Sequence, residues 1–250
     1  MESVLSQYRH RLPQSIVRAQ IDRHSICIRV EIQMPILEDL PDGDGLPFTP
    51  VLRVLGLYEN DEAKDDHNLL HHSHFGNLAN SQGERFRSRL VGFDSQEAPT
   101  GDGKVDDFPQ HYWLEGKRFL MNELERMCGS YRTRTSDLII LGDVYGIDLY
   151  GRMLVDIRDV FHWSERNALR PLMPKFEMAR RCLSSGYSYP TPYTLMTDRL
   201  WEAFSEAREN KVGAFKEDKG PFYDPYQCRK RRRENGDKVT LAHKRVRYSE

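Results

Sequence analysis

The sequence predicts an α+β fold, in which a five-stranded β-barrel carries inserted and C-terminal helices. Two observations lead to this fold class. Apolar residues recur at every second position in segments such as Ser25–Ile32, which is typical of strands with one buried face. Other segments, such as Tyr112–Cys128, carry apolar residues at helical spacing and lie between or after the strands. This arrangement favours a small barrel of the OB type over a doubly wound sheet.

The first predicted strand is Ser25–Ile32, in which apolar and polar side chains alternate. Its apolar positions are Ile26, Ile28, Val30 and Ile32. Ser15–Ile21 is a plausible partner strand. Asp22, Arg23 and His24 would then form the hairpin turn, although this turn lacks the glycine that the tightest hairpins prefer.

A long insertion is predicted after this strand, over residues 33–84. Pro35–Pro50 is rich in Pro, Gly and Asp and is typical of a loop, whereas Val51–Tyr58 is a short apolar strand. Asn60–Glu84 is polar, His-rich and without periodicity, which indicates a flexible segment. A metal site at its histidines is disfavoured, because an unstructured segment seldom fixes ligand geometry. These histidines are His71, His72 and His74.

The remaining elements follow in order along the chain. Arg85–Phe93 is a predicted strand and Tyr112–Cys128 a helix. Two further strands are joined by a Gly-bearing loop, and two helices close the domain. These four elements are Asp137–Leu141, Arg152–Val160, Phe176–Ser185 and Leu195–Lys211.

The composition is typical of one large domain with solvated segments. The chain has 250 residues, of which 38% are hydrophobic and 30% charged, and its mean hydropathy is −0.70. We expect an N-terminal segment over 1–14, the domain over 15–218, and a basic, disordered tail over 219–250. The net charge of −1 gives no overall basic field, but the tail has a basic run. This run consists of Arg229, Lys230, Arg231, Arg232 and Arg233.

The cysteines and the apolar runs indicate an intracellular protein outside the membrane. The four cysteines show no C-x-x-C pair or framework spacing, so we expect them to be reduced. No apolar run approaches the roughly 18 residues that span a bilayer, and Met1–Leu12 lacks the apolar core of a secretory signal. The basic run is typical of nuclear localisation or nucleic-acid binding, and a merely solvated chain end is the alternative.

The segment Arg89–Glu97 contains the first candidate site. An apolar strand begins with an arginine and ends in two carboxylates, Asp94 and Glu97. Strict alternation would put Arg89 and Asp94 on opposite faces, so a turn after Phe93 must redirect Asp94. This strand end would then offer a cation for a phosphate oxygen, a hard oxygen ligand for a metal, and a carboxylate that can orient water.

The second candidate segment is Asp148–Arg152, which reads D-L-Y-G-R. Here a hairpin loop delivers Arg152 to the start of a strand. Phosphodiester hydrolysis builds negative charge on the phosphate oxygens. Two guanidiniums and a divalent cation can stabilise that charge together.

The order of these motifs resembles the staphylococcal-nuclease (thermonuclease) family over residues 15–215. That order is strand, R-x-x-x-x-D-x-x-E, helix, strand, Y-G-R, strand, and two helices with a K-x-x-x-F close. The resemblance implies a catalytic set, which here consists of Arg89, Glu97 and Arg152. It also implies that Asp94 is a metal ligand and that Ser95 contributes its backbone carbonyl.

The metal site departs from the family pattern. The first hairpin of the family reads D-G-D-T, and its second aspartate binds calcium. The corresponding place here is predicted at Asp22–Ser25, so His24 would replace that aspartate. Imidazole is a poor calcium ligand and suits transition metals better. The resemblance therefore implies a divalent cofactor, calcium in the family, at an altered site.

Each candidate residue also has a simpler interpretation. Arg89 and Glu97 can be a surface ion pair, and Asp94 can cap a turn. Arg152 can be a solvated loop residue, and His24 a plain turn residue. Three tyrosines are candidates for stacking on bases, with packing as the alternative. They are Tyr150, Tyr187 and Tyr189.

The sequence as a whole predicts a metal-dependent nuclease that hydrolyses phosphodiester bonds in DNA or RNA. The alternative is a catalytically impaired barrel that binds nucleic acid or a protein. A protein partner can be expected to bind through the insertion at 33–84.

Overall fold

The computed structural model describes residues 26–64, 78, 81–96, 110–129, 137–148, 150–191, 198–226 and 228–229. Within these ranges the chain combines strands and helices, which confirms the predicted α+β class. The strands are β1 (Ile26–Gln33), β2 (Gly45–Glu59), β3 (Glu62–Lys64), β4 (Arg85–Leu90), β5 (Phe93–Ser95), β6 (Leu138–Ile147), β7 (Met153–His162) and β8 (Ser188–Pro190). The α-helices are α1 (Trp113–Cys128), α2 (Glu177–Ser184) and α3 (Asp198–Glu209).

The main sheet has six strands and partly closes into a ring. Its order is β1-β6-β7-β4-β2-β3, and β1 also pairs with β2. The pair formed by β4 and β7 is parallel, whereas the other pairs of this sheet are antiparallel. Strands β5 and β8 form a separate antiparallel pair. The ring therefore brings the end of β4 beside the start of β7.

The core lies inside the ring and beneath the helices. Cross-strand partners such as Ile28 and Val144, or Val144 and Val155, are fully buried. Each such aliphatic side chain contributes roughly 1.5–3 kcal/mol by leaving water. The buried stripe of α1 includes Leu120 and Leu124, as its helical spacing predicts.

The predicted loop at Pro35–Pro50 was wrong in its second half. Strand β2 begins at Gly45 and runs for 15 residues, so the predicted insertion at 33–84 contains a strand of the ring. The prolines suggested a loop because proline cannot donate a ladder hydrogen bond. The strand accommodates Pro47 at a register shift between Leu46 and Thr49.

The neighbours of β1 in the described part of the chain are β2 and β6. Residues 28–32 of β1 pair with β2 on one side and with β6 on the other. Both edges of this part of β1 are therefore occupied by strands other than the partner predicted at Ser15–Ile21. Those residues, together with the turn at Asp22, Arg23 and His24, lie outside the described residues.

The packed domain continues beyond the predicted boundary at residue 218. Phe222 is buried against Tyr112, and their ring centroids are 5.7 Å apart. Cys228 is also buried, and its Sγ accepts a hydrogen bond of 3.0 Å from Gln110 Nε2. The first part of the predicted tail is therefore part of the fold.

The predicted helices agree with the structure to within a few residues. The strand predicted at Asp137–Leu141 extends further, because β6 reaches Ile147. All four cysteines are buried and unbonded to one another. Among the helices that the structure describes, none combines the length and apolar character needed to cross a membrane.

Candidate functional site

The candidate site lies where β4 ends and the chain bends into β5. The bend is at Gly92, whose φ of +93° is in the left-handed region that favours glycine. A β-carbon at Gly92 would also lie 2.8 Å from the Ala179 β-carbon on α2. The predicted turn after Phe93 therefore occurs one step earlier. It brings Asp94 back to the face of β4 that carries Arg89.

A buried ion-pair cluster occupies this bend. The Arg89 Nη2 atom lies 2.8 Å from Asp94 Oδ1 and 3.2 Å from Asp44 Oδ2. Asp94 and Asp44 are only 2% and 6% exposed. One guanidinium nitrogen therefore contacts two buried carboxyl groups and gives both a cationic neighbour.

Asp44 reaches the cluster because the loop before β2 is tied to β5. The Gly43 N–H donates to Ser95 Oγ at 3.0 Å, and the Leu90 N–H donates to the Asp44 carbonyl at 2.8 Å. A β-carbon at Gly43 would lie 2.7 Å from the Gly116 carbonyl carbon, so this approach needs glycine. These contacts fix the loop that carries Asp44 against the Asp94 strand.

A second arginine binds Asp94 from the C-terminal segment. The Arg229 guanidinium contacts both carboxylate oxygens of Asp94, with Nη1 at 3.2 Å from Oδ1 and Nη2 on Oδ2. Its side chain is 19% exposed. The prediction that Arg229 belongs to a disordered basic tail was therefore wrong, because a buried carboxylate attracts it into the fold. Lys230, Arg231, Arg232 and Arg233 lie outside the described residues.

The two aspartates have opposite pKa shifts. Burial raises the pKa of Asp44 well above its usual value, and the negative charges of Asp42 and Asp94 add to this effect. Burial also acts to raise the pKa of Asp94, but the guanidiniums of Arg229 and Arg89 outweigh it and hold that pKa below its usual value. Asp44 therefore binds a proton more tightly than Asp94 does, although the two groups lie in one cluster.

Arg152 directly precedes β7, the strand next to Arg89, but its side chain is bound elsewhere. Its Nε and Nη2 atoms both lie 2.7 Å from Asp148 Oδ2, and its guanidinium is 5.3 Å from the Tyr150 ring centroid. The parallel register pairs Arg89 with Leu154. This offset places the α-carbons of Arg89 and Arg152 about 8 Å apart. Both arginines therefore belong to the same region of the surface, although they share no contact in the described structure.

The tyrosine candidates divide into two groups. Tyr150 is 62% exposed at the β6–β7 turn. Tyr189 packs among Phe204, Phe215 and Phe222, with centroid distances between 4.7 and 6.1 Å. Tyr187 packs against Tyr112 at 6.5 Å. Tyr187 and Tyr189 therefore pack against other aromatic rings of the protein, whereas the Tyr150 side chain is exposed to solvent.

Two candidate residues lie outside the described residues, namely Glu97 and His24. The structure instead adds Asp44 and Arg229 to the site, and sequence reasoning missed both. A signal for Asp44 was present in the run Asp42-Gly43-Asp44-Gly45 just before β2. It was overlooked because this stretch was assigned to a loop. No local pattern indicated that Arg229, 135 residues from Asp94, would dock there.

The carboxylate oxygens at the bend suit a hard divalent cation, but they supply only part of its ligands. Asp44 and Asp94 offer carboxylate oxygens that contact the same Arg89 nitrogen, and such oxygens are the donor type that magnesium, manganese and calcium prefer. Across the described ranges, no group of three or more His, Cys, Asp and Glu side chains is arranged to hold a metal. A cation here would therefore need backbone, water or phosphate oxygens as additional ligands. It would also compete with Arg229 for Asp94.

Comparison with known proteins found no family model and no curated protein that matches this chain.

Proposed function

We propose that this chain is a metal-dependent nuclease that hydrolyses phosphodiester bonds. The observation that carries the proposal is the position of Arg89 between Asp44 and Asp94, at 3.2 and 2.8 Å. A guanidinium next to two carboxylates at a strand end offers both a phosphate ligand and hard metal ligands. Arg152 directly precedes the adjacent strand β7 and can supply a second guanidinium.

The strand order supports the OB-type barrel that this function would use. Around the ring the order is β1-β2-β4-β7-β6, and β4 runs parallel to β7. A five-stranded ring with this order would be a barrel of the OB type, an architecture that often binds oligonucleotides. A fold does not determine an activity, so the proposal depends on the site.

Asp44 restores the part of the nuclease pattern that was predicted to be lost. It is the second acidic residue of a D-G-D sequence, in the loop that connects β1 to β2. In the staphylococcal-nuclease family, which this chain resembles, the second metal ligand belongs to such a D-G-D sequence. Asp44 is therefore a better candidate for that role than His24.

Each residue has a distinct role in the proposed reaction. A divalent cation on Asp44 and Asp94 would polarise the phosphate and lower the pKa of a bound water. Arg89 would release its carboxylate partners and donate to a non-bridging oxygen, and Arg152 would do the same after leaving Asp148. Glu97, by the resemblance, would accept a proton from the attacking water as the new P–O bond forms and the ester P–O bond breaks.

Hydrolysis of a labelled single-stranded oligonucleotide with calcium, magnesium or manganese tests the proposal. We expect Asp94→Asn, Arg152→Ala and Glu97→Gln each to lower kcat/KM by at least about 100-fold. Asp159→Asn is the matched control, because Asp159 pairs with Arg170 at 3.5 Å on the far part of β7. Cleavage that persists unchanged in all three site variants would refute the assignment.

A binding module is the second candidate, and the Arg229 contact favours it. A cation of the chain itself already neutralises Asp94, as expected for a site that no longer holds a metal. This alternative predicts salt-sensitive binding of nucleic acid or a protein, with no cleavage under any of the three metals. The hydrolysis assay and a binding titration on the same preparation separate the two functions.

A further inference from the structure

Beside the candidate site, three arginines alternate along β4, whose sequence is R-F-R-S-R-L. Arg85, Arg87 and Arg89 occupy alternate positions and therefore share one face of the strand. The residues between them include Ser88, which is buried on the opposite face. Successive arginines are about 7 Å apart along the strand. The row ends at the Asp44 and Asp94 site, because Arg89 is its last member.

The first two arginines have no carboxylate partner in the part of the chain that the structure describes. Arg85 is exposed, and its Nη2 donates 3.2 Å to the Phe48 carbonyl, while Arg87 lies over the Phe48 ring at 4.7 Å from its centroid. Among the described residues, no carboxylate pairs with either guanidinium. Arg89 differs, since Asp44 and Asp94 both neutralise it. The row therefore offers positive charge that the described fold does not use.

Exposed aromatic rings flank this row. Phe48 is 45% exposed on the β2 side, and Tyr150 is 62% exposed beside Arg152 on the β7 side. The parallel register of Ser88 with Met153 places Arg87 next to Arg152 across the two strands. A row of cationic side chains with an exposed ring on each side matches the phosphates and bases of a single strand.

We propose that this face of β4, with Phe48 and Tyr150 at its sides, binds a single-stranded polynucleotide and leads it to the Asp44 and Asp94 site. The phosphates would contact Arg85 and Arg87, and unstacked bases would rest on the two rings. A duplex is disfavoured, because its bases are stacked on one another and cannot cover exposed rings. This inference rests on the function proposed above for its substrate class, but binding along β4 does not need turnover.

Fluorescence anisotropy with oligothymidylate of about eight nucleotides tests this surface, with a chelator present to remove metal. We expect Arg85→Gln/Arg87→Gln to weaken binding about tenfold at low salt. The slope of log K against log salt should fall by about 1.4, which corresponds to two lost phosphate contacts. Phe48→Ala should weaken binding at least about fivefold at any salt. Arg53→Gln is the matched control, because Arg53 is an exposed arginine on the part of β2 that pairs with β1.

Three results would overturn the proposal. They are unchanged binding in the double variant, an equal loss in the Arg53 control, and competition by polyglutamate as strong as that by oligothymidylate. Hydrolysis of the small diester bis(p-nitrophenyl) phosphate is measured separately, because so small a substrate reports on the Asp44 and Asp94 site without covering β4. Oligonucleotide binding without diester hydrolysis would support this surface while refuting the proposed nuclease. Diester hydrolysis with no effect of the β4 variants on binding would do the reverse.

Discussion

At the scale of single residues, Asp44 and Asp94 show how neighbouring carboxylates acquire different proton affinities. Both are buried, and both contact the same Arg89 nitrogen. Asp94 has a second guanidinium from Arg229, whereas Asp44 has the like charge of Asp42 beside it. The number of cations around each group therefore decides the direction of its pKa shift, because burial acts in the same direction on both.

This difference predicts that metal binding depends on pH through Asp44. A divalent cation needs the ionised carboxylate, so metal binding competes with protonation of Asp44. We expect the Kd for Mn²⁺ to fall as the pH rises, by up to about tenfold per pH unit below the pKa of Asp44. Titration calorimetry from pH 5.5 to 8 measures this. Asp44→Asn should flatten the profile and Glu62→Gln should not, since Glu62 is exposed. A profile that is equally steep in Asp44→Asn would contradict the assignment.

A second buried carboxylate links stability to pH outside the site. Asp156 accepts the Phe176 N–H at 2.7 Å, where the chain enters α2, and burial raises its pKa to about 7. Its pKa in the unfolded chain is about 3.9. The folded state therefore retains a proton that the unfolded chain loses. The resulting stabilisation is complete below about pH 4 and is lost as the pH rises to about 7.

Asp156→Asn tests this linkage, because the amide oxygen can still accept the Phe176 N–H. The variant should gain free energy of unfolding relative to the native chain as the pH rises from 5 to 7. The expected slope of the difference is at most about 1.4 kcal/mol per pH unit. Urea unfolding at several pH values measures it. A difference that does not change with pH would show that Asp156 titrates normally.

At the scale of elements, the sequence pattern was sufficient where periodicity was regular. Strand β1 and all three helices were predicted within a few residues, because their apolar residues follow periods of two and 3.6. Strand β2 was predicted only from Val51, since prolines in its first half hid the pairing of Gly45 and Leu46 with β4. The missed half of β2 is the part that follows Asp44. An error in one strand boundary thus removed a site residue from the prediction.

The bend between β4 and β5 provides a prediction at this scale. Gly92→Ala should cost about 2–4 kcal/mol, because it adds both left-handed backbone strain and a contact with Ala179. Gly83→Ala is the matched control, since Gly83 has a φ of +88° but nothing within 4 Å of an added β-carbon. It should cost only about 1 kcal/mol. Chemical denaturation of both variants measures the difference. Ala179→Gly should recover part of the Gly92→Ala loss, and no recovery would show that the α2 contact is unimportant.

At the scale of the whole molecule, the site is assembled from segments far apart in sequence. The loop before β2, the β4–β5 bend and residue 229 each contribute a charged side chain. Local patterns can locate the first two, but the docking of Arg229 depends on how residues 213–229 pack across the fold. Phe215 and Phe222 anchor that segment, with ring centroids 5.1 Å apart. The C-terminal segment is therefore a structural part of the site.

The contact between Arg229 and Asp94 predicts that the chain competes with a metal for its own site. A cation that binds Asp94 must displace the bidentate, charge-assisted hydrogen bonds from Arg229. We expect Arg229→Gln to lower the Kd for Mn²⁺ by about tenfold, which is about 1.4 kcal/mol. Titration calorimetry at fixed pH measures this. Lys216→Gln removes an equal charge from an exposed position and is the control.

If Arg229 were only an anchor for the C-terminal segment, Arg229→Gln would lower the free energy of unfolding and leave the Kd for Mn²⁺ unchanged. That result would favour a binding module over a nuclease, since Asp94 would then have no affinity for a metal to regain.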